Sequence, residues 1–176
     1  MIPRPIRRRL GNDPIVIGSR IQSMSRLSPA PEFAAALRGL GGAVIQVARC
    51  HRDTQRTLQA TDLRALRRRL DSLRSDPFLS KQEASLADHL AKKAEPIDEL
   101  AKLRPVLRAE IVRVRGQAEE LRDEVFRLRM GRPPTSGLVE ALNAQCDSIQ
   151  SLCTRAREAE RNARDAAPSP ASLGNS

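Results

Sequence analysis

The stretch LRAEIVRVRGQAEELRDEVFRL, from Leu107 to Leu128, decides the fold of this 176-residue chain. Alternating steps of four and three residues from Leu107 select seven positions, and all seven are apolar. A straight surface helix drifts by about 20° per heptad away from so strict a repeat. The repeat therefore predicts a helix whose apolar seam faces other helices along its whole length.

The same repeat extends back to Leu79, and twelve of the fifteen positions from Leu79 to Leu128 are apolar. Two prolines, Pro96 and Pro105, lie inside this segment. A proline in a helix interior removes one hydrogen bond and costs about 3 kcal/mol. The helix either bends at each proline or stops and restarts there. We expect a break at residues 94–97 and an intact rod beyond Pro105.

Proline, glycine and serine divide the rest of the chain. Glycine weakens a helix by about 1 kcal/mol relative to alanine, so the three glycines at 39–42 predict a hinge. The predicted segments are a basic flexible arm (1–31), a helical segment with that hinge (32–75), a long heptad-bearing helical segment with breaks or bends at Pro96 and Pro105 (76–130), a linker (131–137), a third helix (138–167) and a disordered tail (168–176). The predicted fold is all-α: a segmented coiled coil or helical hairpin of three or more long helices.

Composition argues against an enzyme. The chain has no Trp, no Tyr and three Phe, whereas aromatic side chains supply much of the apolar area in compact cores. His51 and His89 are the two histidines, and neighbours such as Cys50 and His51 do not face one site on a helix. The sequence therefore predicts no catalytic site, no metal site and no cofactor.

The main functional prediction is a structural coiled-coil subunit that assembles with other coiled-coil proteins or with itself in a larger complex. An isolated chain would then expose a long apolar stripe, which marks an interaction surface. Gln145 is polar at a seam position, where such residues fix register or partner number. The predicted helix-interface residues are Leu63, Leu66, Leu70, Leu73, Leu107, Ile111, Val114, Leu121, Val125, Leu128, Leu138, Leu142, Ile149 and Leu152.

The charge distribution supports an alternative function. The formal net charge is +10, and residues 1–75 hold fifteen arginines against five acids, whereas bases and acids balance in the remainder. We therefore consider a basic protein that binds nucleic acid or another anionic surface through residues 1–75. No aromatic residue interleaves with the arginines, so base stacking is not expected. The candidate anion-binding residues are Arg7, Arg8, Arg9, Arg67, Arg68 and Arg69.

Cysteine content and hydropathy bear on the compartment. Three widely spaced cysteines are not a secreted disulfide framework, so we expect an intracellular, reducing compartment. No apolar run is long enough to predict a membrane span. The arginine- and serine-rich arm also has features of an organelle transit peptide, which its early prolines oppose. Organelle import therefore stays an alternative.

Residues 118–152 carry a resemblance to a known family. The run Glu120–Val125, the linker and the stretch Leu142–Gln150 together resemble the C-terminal coiled-coil region of the central-channel FG nucleoporins. Ser151-Leu152-Cys153 stands where that family carries an aromatic residue. The resemblance implies a heterotrimeric coiled-coil bundle in the nuclear pore, with other channel nucleoporins as partners.

Overall fold

The computed structural model describes residues 13–78 and 80–165, and within these ranges all regular secondary structure is α-helical. The all-α prediction is confirmed for this part of the chain. The described helices are α1 (Pro14–Ser25), α2 (Pro31–Ala60), α3 (Leu63–Arg74), α4 (Lys81–Arg129) and α5 (Leu138–Asp165).

Helix α1 corrects the prediction of a flexible arm over residues 1–31. Pro14 occupies the first turn, where a missing amide donor costs nothing. Asp13 caps the helix, since its side chain accepts a hydrogen bond from the Ile15 amide at 3.0 Å. Ile17 and Ile21 are buried, so packing sustains the helix. Arg7, Arg8 and Arg9 lie outside the described residues, as does the predicted tail from 168 to 176.

Helix α2 runs without interruption through Gly39–Gly42, so the predicted hinge is wrong. Gly41 lies against α1, and a Cβ built on it would stand 2.6 Å from the Gly18 carbonyl oxygen. This glycine therefore serves close helix packing rather than bending. The predicted segment 32–75 in fact contains two helices, because α2 ends at Ala60 and α3 begins at Leu63.

Helix α4 is continuous from Lys81 to Arg129 with Pro96 and Pro105 inside it, so the expected break at 94–97 is wrong. A capping box begins it: the Ser80 amide donates to Glu83 at 2.9 Å, and the Glu83 amide donates to the Ser80 hydroxyl at 3.2 Å. Pro96 and its neighbour Ile97 are buried, so tertiary packing offsets the lost hydrogen bonds.

The chain forms two compact units. The first comprises the chain up to Ala48 together with Glu110–Gln150, and the second comprises Arg49–Ala109 together with the chain from Ser151. In the first unit the largest fully buried apolar side chains are Phe33, Ile21, Leu37, Leu40, Ile149, Val44, Val47 and Val114. This core draws on α1, α2, α4 and α5.

The core of the second unit also combines four helices. Ile97 and Leu100 of α4 pack with Ala159 and Ala163 of α5. The alanines keep α5 close to α4, because they interpose little side-chain volume. Half-buried leucines of α2 and α3 complete the cluster: Leu58, Leu63 and Leu66.

The predicted seam is packed inside the chain itself. Eight of the fourteen predicted interface residues are buried, namely Leu70, Leu107, Val114, Leu121, Val125, Leu128, Leu142 and Ile149. The other six are half-buried, namely Leu63, Leu66, Leu73, Ile111, Leu138 and Leu152. The expectation that the isolated chain exposes a long apolar stripe along these positions is therefore wrong.

Candidate anion-binding surface and buried thiol pair

Helix α3 presents a surface of arginines that we call the arginine face: Arg64, Arg67, Arg68, Arg69 and Arg74. All five are exposed, and Asp71 is the only acidic residue within the helix. The helix folds this way because its leucines recur at steps of three and four and turn inward, which leaves the arginines outside. Leu70 in the middle of that stripe is 7% exposed.

The arginines of this face differ in their partners. Arg67 donates to Asp98 of α4 at 2.5 Å, so it links the two helices. Within the described residues, the other four guanidinium groups make no ion pair with a carboxylate. Of the three arginines predicted here, Arg68 and Arg69 therefore lack a carboxylate partner, whereas Arg67 has one. Arg68 donates its Nε to the Arg64 carbonyl at 3.4 Å, which leaves its terminal nitrogens for an external anion.

A second basic group lies in the same unit and was missed from the sequence. Burial lowers the pKa of His51 in α2, and the charges of Arg104 and Arg108 in α4 lower it further. Arg104 and Arg108 are one helical turn apart, so they share a face of α4. Arg104 is one of the three positions from Leu79 to Leu128 that depart from the apolar repeat, but no sequence pattern connects it to His51.

Two cysteines from different helices meet in the second unit. The Cys153 thiol of α5 hydrogen-bonds to Cys50 of α2, and both residues are buried. That hydrogen bond and Arg157 lower the pKa of Cys50 to about 7 against the opposing effect of burial. The same contact and burial raise the pKa of Cys153. Sequence spacing pointed to neither the pair nor its location.

Gln145 makes a polar contact between α5 and α4 in the first unit. Its side-chain amide donates to Glu110 and to Gln117 of α4, each at 3.0 Å. The residue itself is 5% exposed. Sequence analysis identified Gln145 as a polar seam residue, and the structure places its partners on α4 of the same chain.

Among residues 13–78 and 80–165, no three His, Cys, Asp or Glu side chains come together as a metal site. No helix in that part of the chain combines the length and hydropathy needed to cross a membrane. The chain matches no family model, no curated protein and no solved structure.

Proposed function

We propose that this protein binds the phosphate backbone of a nucleic-acid duplex through the arginine face of α3. The observation that carries the proposal is the set of four exposed arginines, on one twelve-residue helix, that lack a carboxylate partner in the described chain. Arginine presents a planar fork of donors that matches a phosphate group. Several guanidinium groups close together therefore form a suitable binding site for a polyanion.

The dimensions of α3 fit several phosphates at once. Twelve helical residues span about 18 Å. A DNA duplex carries one phosphate charge per about 1.7 Å of its axis, so this length faces on the order of ten charges. Arg64 and Arg68 are one turn apart on the helix. Contacts of this kind position a protein on the duplex without reading its sequence.

Two other ligands, single-stranded nucleic acid and a membrane surface, fit α3 less well than a duplex does. Single strands are held by stacking on aromatic side chains, and α3 contains none. A helix at a membrane surface buries its own apolar face among the lipids, but Leu70 and its half-buried neighbours Leu66 and Leu73 pack against the protein. A duplex requires only the charged face, which is the one α3 presents.

The test compares two triple variants by fluorescence anisotropy with a labelled DNA duplex and a labelled RNA duplex. Arg64→Gln, Arg68→Gln and Arg69→Gln together should weaken binding on the order of tenfold or more. Arg67 is retained because its ion pair with Asp98 holds α3 to α4. The matched control replaces three exposed arginines of the first unit with glutamine and loses the same charge: Arg115, Arg129 and Arg132.

The control variant should bind duplexes nearly as tightly as the wild type. Vesicles with anionic lipid are the second arm of the experiment. Binding to vesicles without binding to either duplex at low salt would overturn the proposal in favour of a membrane surface. Equal losses in the two triple variants would show that net charge, and not α3, is responsible.

A second candidate function is assembly with a partner helix along α4 of the first unit. Val112, Phe126 and Met130 are 60%, 65% and 67% exposed. At 100° per residue, Met130 lies directly above Val112, and Phe126 is offset by about 40°. Glu119 and Asp123 lie on the same line, so a second copy would set acids against acids. The partner we propose is therefore a different amphipathic helix with basic residues.

Light scattering and crosslinking test this second function. The chain alone should be monomeric at micromolar concentration, and crosslinks to a co-purified partner should map to α4 between Val112 and Met130. Phe126→Asp combined with Met130→Asp should abolish them, whereas Val106→Asp in the second unit should not. A dimer that these two substitutions dissociate would instead identify a second copy as the occupant.

A further inference from the structure

Cys50 and Cys153 occupy facing positions on α2 and α5 of the second unit. Cys50 is 5% exposed and Cys153 is 1% exposed, and their thiols are in hydrogen-bonding contact. The same two helices are also in contact further along. One turn after Cys50, the Thr54 hydroxyl donates to Glu160, two turns after Cys153, at 3.4 Å. Cys50 shares a helix face with Thr54, and Cys153 shares one with Glu160, so the two cysteines lie on the contacting faces of a packed helix pair.

We propose that Cys50 and Cys153 are the site of a disulfide bond that ties α2 to α5. A disulfide joins sulfurs about 2.05 Å apart, so the two atoms must approach from hydrogen-bonding contact. That approach requires rotation about the Cα–Cβ bonds of both cysteines. No part of this inference depends on nucleic-acid binding.

The proposed oxidant is a peroxide, with hydrogen peroxide as the simplest case. The Cys50 thiolate attacks one peroxide oxygen, the O–O bond breaks, and hydroxide leaves and takes the proton that Cys50 released. Cys50 is then a sulfenic acid. The Cys153 sulfur attacks the Cys50 sulfur, and the hydroxyl group departs with the Cys153 proton as water. Two thiols have then lost two electrons in total, and one peroxide has become two waters.

The surroundings assign the two cysteines different steps. Arg157 hydrogen-bonds to Cys50 and, with the Cys153 thiol, stabilises its thiolate. The thiolate is the nucleophilic form of cysteine, so Cys50 reacts first, and Cys153 resolves the intermediate. Cys50 is 5% exposed, so hydrogen peroxide reaches it when the helix pair opens locally.

Cys146 is the internal control for this chemistry. It is buried in the first unit, and burial raises its pKa. It precedes Cys153 by seven residues on α5, which is about 10.5 Å of helical rise. That separation is too large for a disulfide between them. Oxidation of the folded chain should therefore leave Cys146 as a free thiol.

The experiment treats the reduced, folded, full-length protein with a small molar excess of hydrogen peroxide. Remaining thiols are alkylated under denaturing conditions, and the digest is examined by mass spectrometry. We expect a crosslinked peptide that joins Cys50 to Cys153, with Cys146 alkylated. The thermal unfolding midpoint should rise on oxidation and return with dithiothreitol. Cys146→Ala should keep this shift, and Cys153→Ala should lose it.

Two results would overturn the proposal. One is that all three cysteines are still alkylated after a dose of peroxide that oxidises a free thiol in the same solution. The other is a disulfide that involves Cys146 or joins two chains. The peptide measurement uses the wild-type chain, so it decides the matter even if Cys153→Ala fails to fold.

Discussion

Gly18 and Gly41 lie against each other where α1 crosses α2. A Cβ on Gly18 would stand 2.7 Å from the Gly41 carbonyl oxygen, and a Cβ on Gly41 would stand 2.6 Å from the Gly18 carbonyl oxygen. Real side chains essentially never come so close to backbone atoms. The two glycines therefore set how near these helices approach in the first unit.

Replacement of either glycine with alanine should separate the two helices. Gly18→Ala and Gly41→Ala force overpacking, and we expect each to lower the free energy of unfolding by about 1–3 kcal/mol. Urea denaturation monitored by circular dichroism measures the change. The control is Gly116→Ala, since nothing lies within 4 Å of a Cβ there. It should stabilise the protein by about 0.5–1 kcal/mol. Stabilisation by Gly41→Ala would contradict the close crossing.

Gln145 should contribute more to stability than an exposed glutamine does. Gln145→Ala removes packing and two hydrogen bonds, although Glu110 keeps its ion pair with Arg113. A hydrogen bond contributes about 0.5–1.5 kcal/mol, and somewhat more when one partner is charged, so we expect a total loss of about 1–3 kcal/mol. Gln59 is exposed on α2, so Gln59→Ala should stay within about 0.5 kcal/mol of wild type. Equal losses of stability for Gln145→Ala and Gln59→Ala in urea denaturation would contradict a stabilising role for the contacts of Gln145.

Pro105 should weaken the helix that contains it. It is exposed inside α4, so Pro105→Ala restores a backbone donor without removing buried surface. We expect a gain of about 1–3 kcal/mol in the free energy of unfolding. Pro96 is buried, so Pro96→Ala also loses packing and should gain less. Thermal and urea denaturation test this order, and a destabilised Pro105→Ala variant would refute it.

Glu160 should make stability depend on pH. Burial raises the pKa of this carboxyl, as does Asp53, and these effects exceed the lowering by Arg164, the Thr54 hydroxyl and Arg157. The folded state then holds a proton more tightly than the unfolded state does. The stability from Glu160 is complete below its unfolded pKa near 4.5 and is lost as the pH rises through the folded pKa.

Glu160→Gln removes this pH dependence. We compare the free energy of unfolding of the variant with that of the wild type at each pH. The difference, variant minus wild type, should be more positive at pH 7 than at pH 4. Urea denaturation at the two pH values measures the difference. Glu158 is exposed on the same helix, so Glu158→Gln provides the matched control. A variant that loses more stability at pH 7 than at pH 4 would reverse the sign and contradict this explanation.

Part of the fold could be predicted from the spacing of apolar residues and from turn-forming residues. The heptad steps from Leu107 to Leu128 picked out positions that are buried or half-buried in α4. The prediction of a linker at 131–137 agrees with the loop between α4 and α5, where Gly131 and Gly137 adopt positive φ angles. Such local signals depend on neighbouring residues alone, so sequence reasoning can use them.

The predicted hinge at 39–42 and the predicted break at 94–97 were wrong because contacts between segments distant in sequence stabilise both helices. Gly41 resembled a hinge because its partner, Gly18, lies on another helix. Pro96 resembled a break because the buried contacts that sustain α4 come from outside it. The approach of Cys50 to Cys153, and of His51 to Arg104, likewise depends on helix packing that no local pattern encodes. Three residues of the arginine face, Arg67, Arg68 and Arg69, were named from the sequence, but the ion pair between Arg67 and Asp98 was not.

The salt dependence of duplex binding tests the central claim most directly. The logarithm of the association constant falls against the logarithm of salt concentration with a slope of about −0.9 per phosphate contact. Loss of Arg64, Arg68 and Arg69 should therefore reduce the magnitude of that slope by about 2.7. The control variant at Arg115, Arg129 and Arg132 should keep the wild-type slope. Identical slopes in the wild type and the α3 variant would contradict binding through the arginine face.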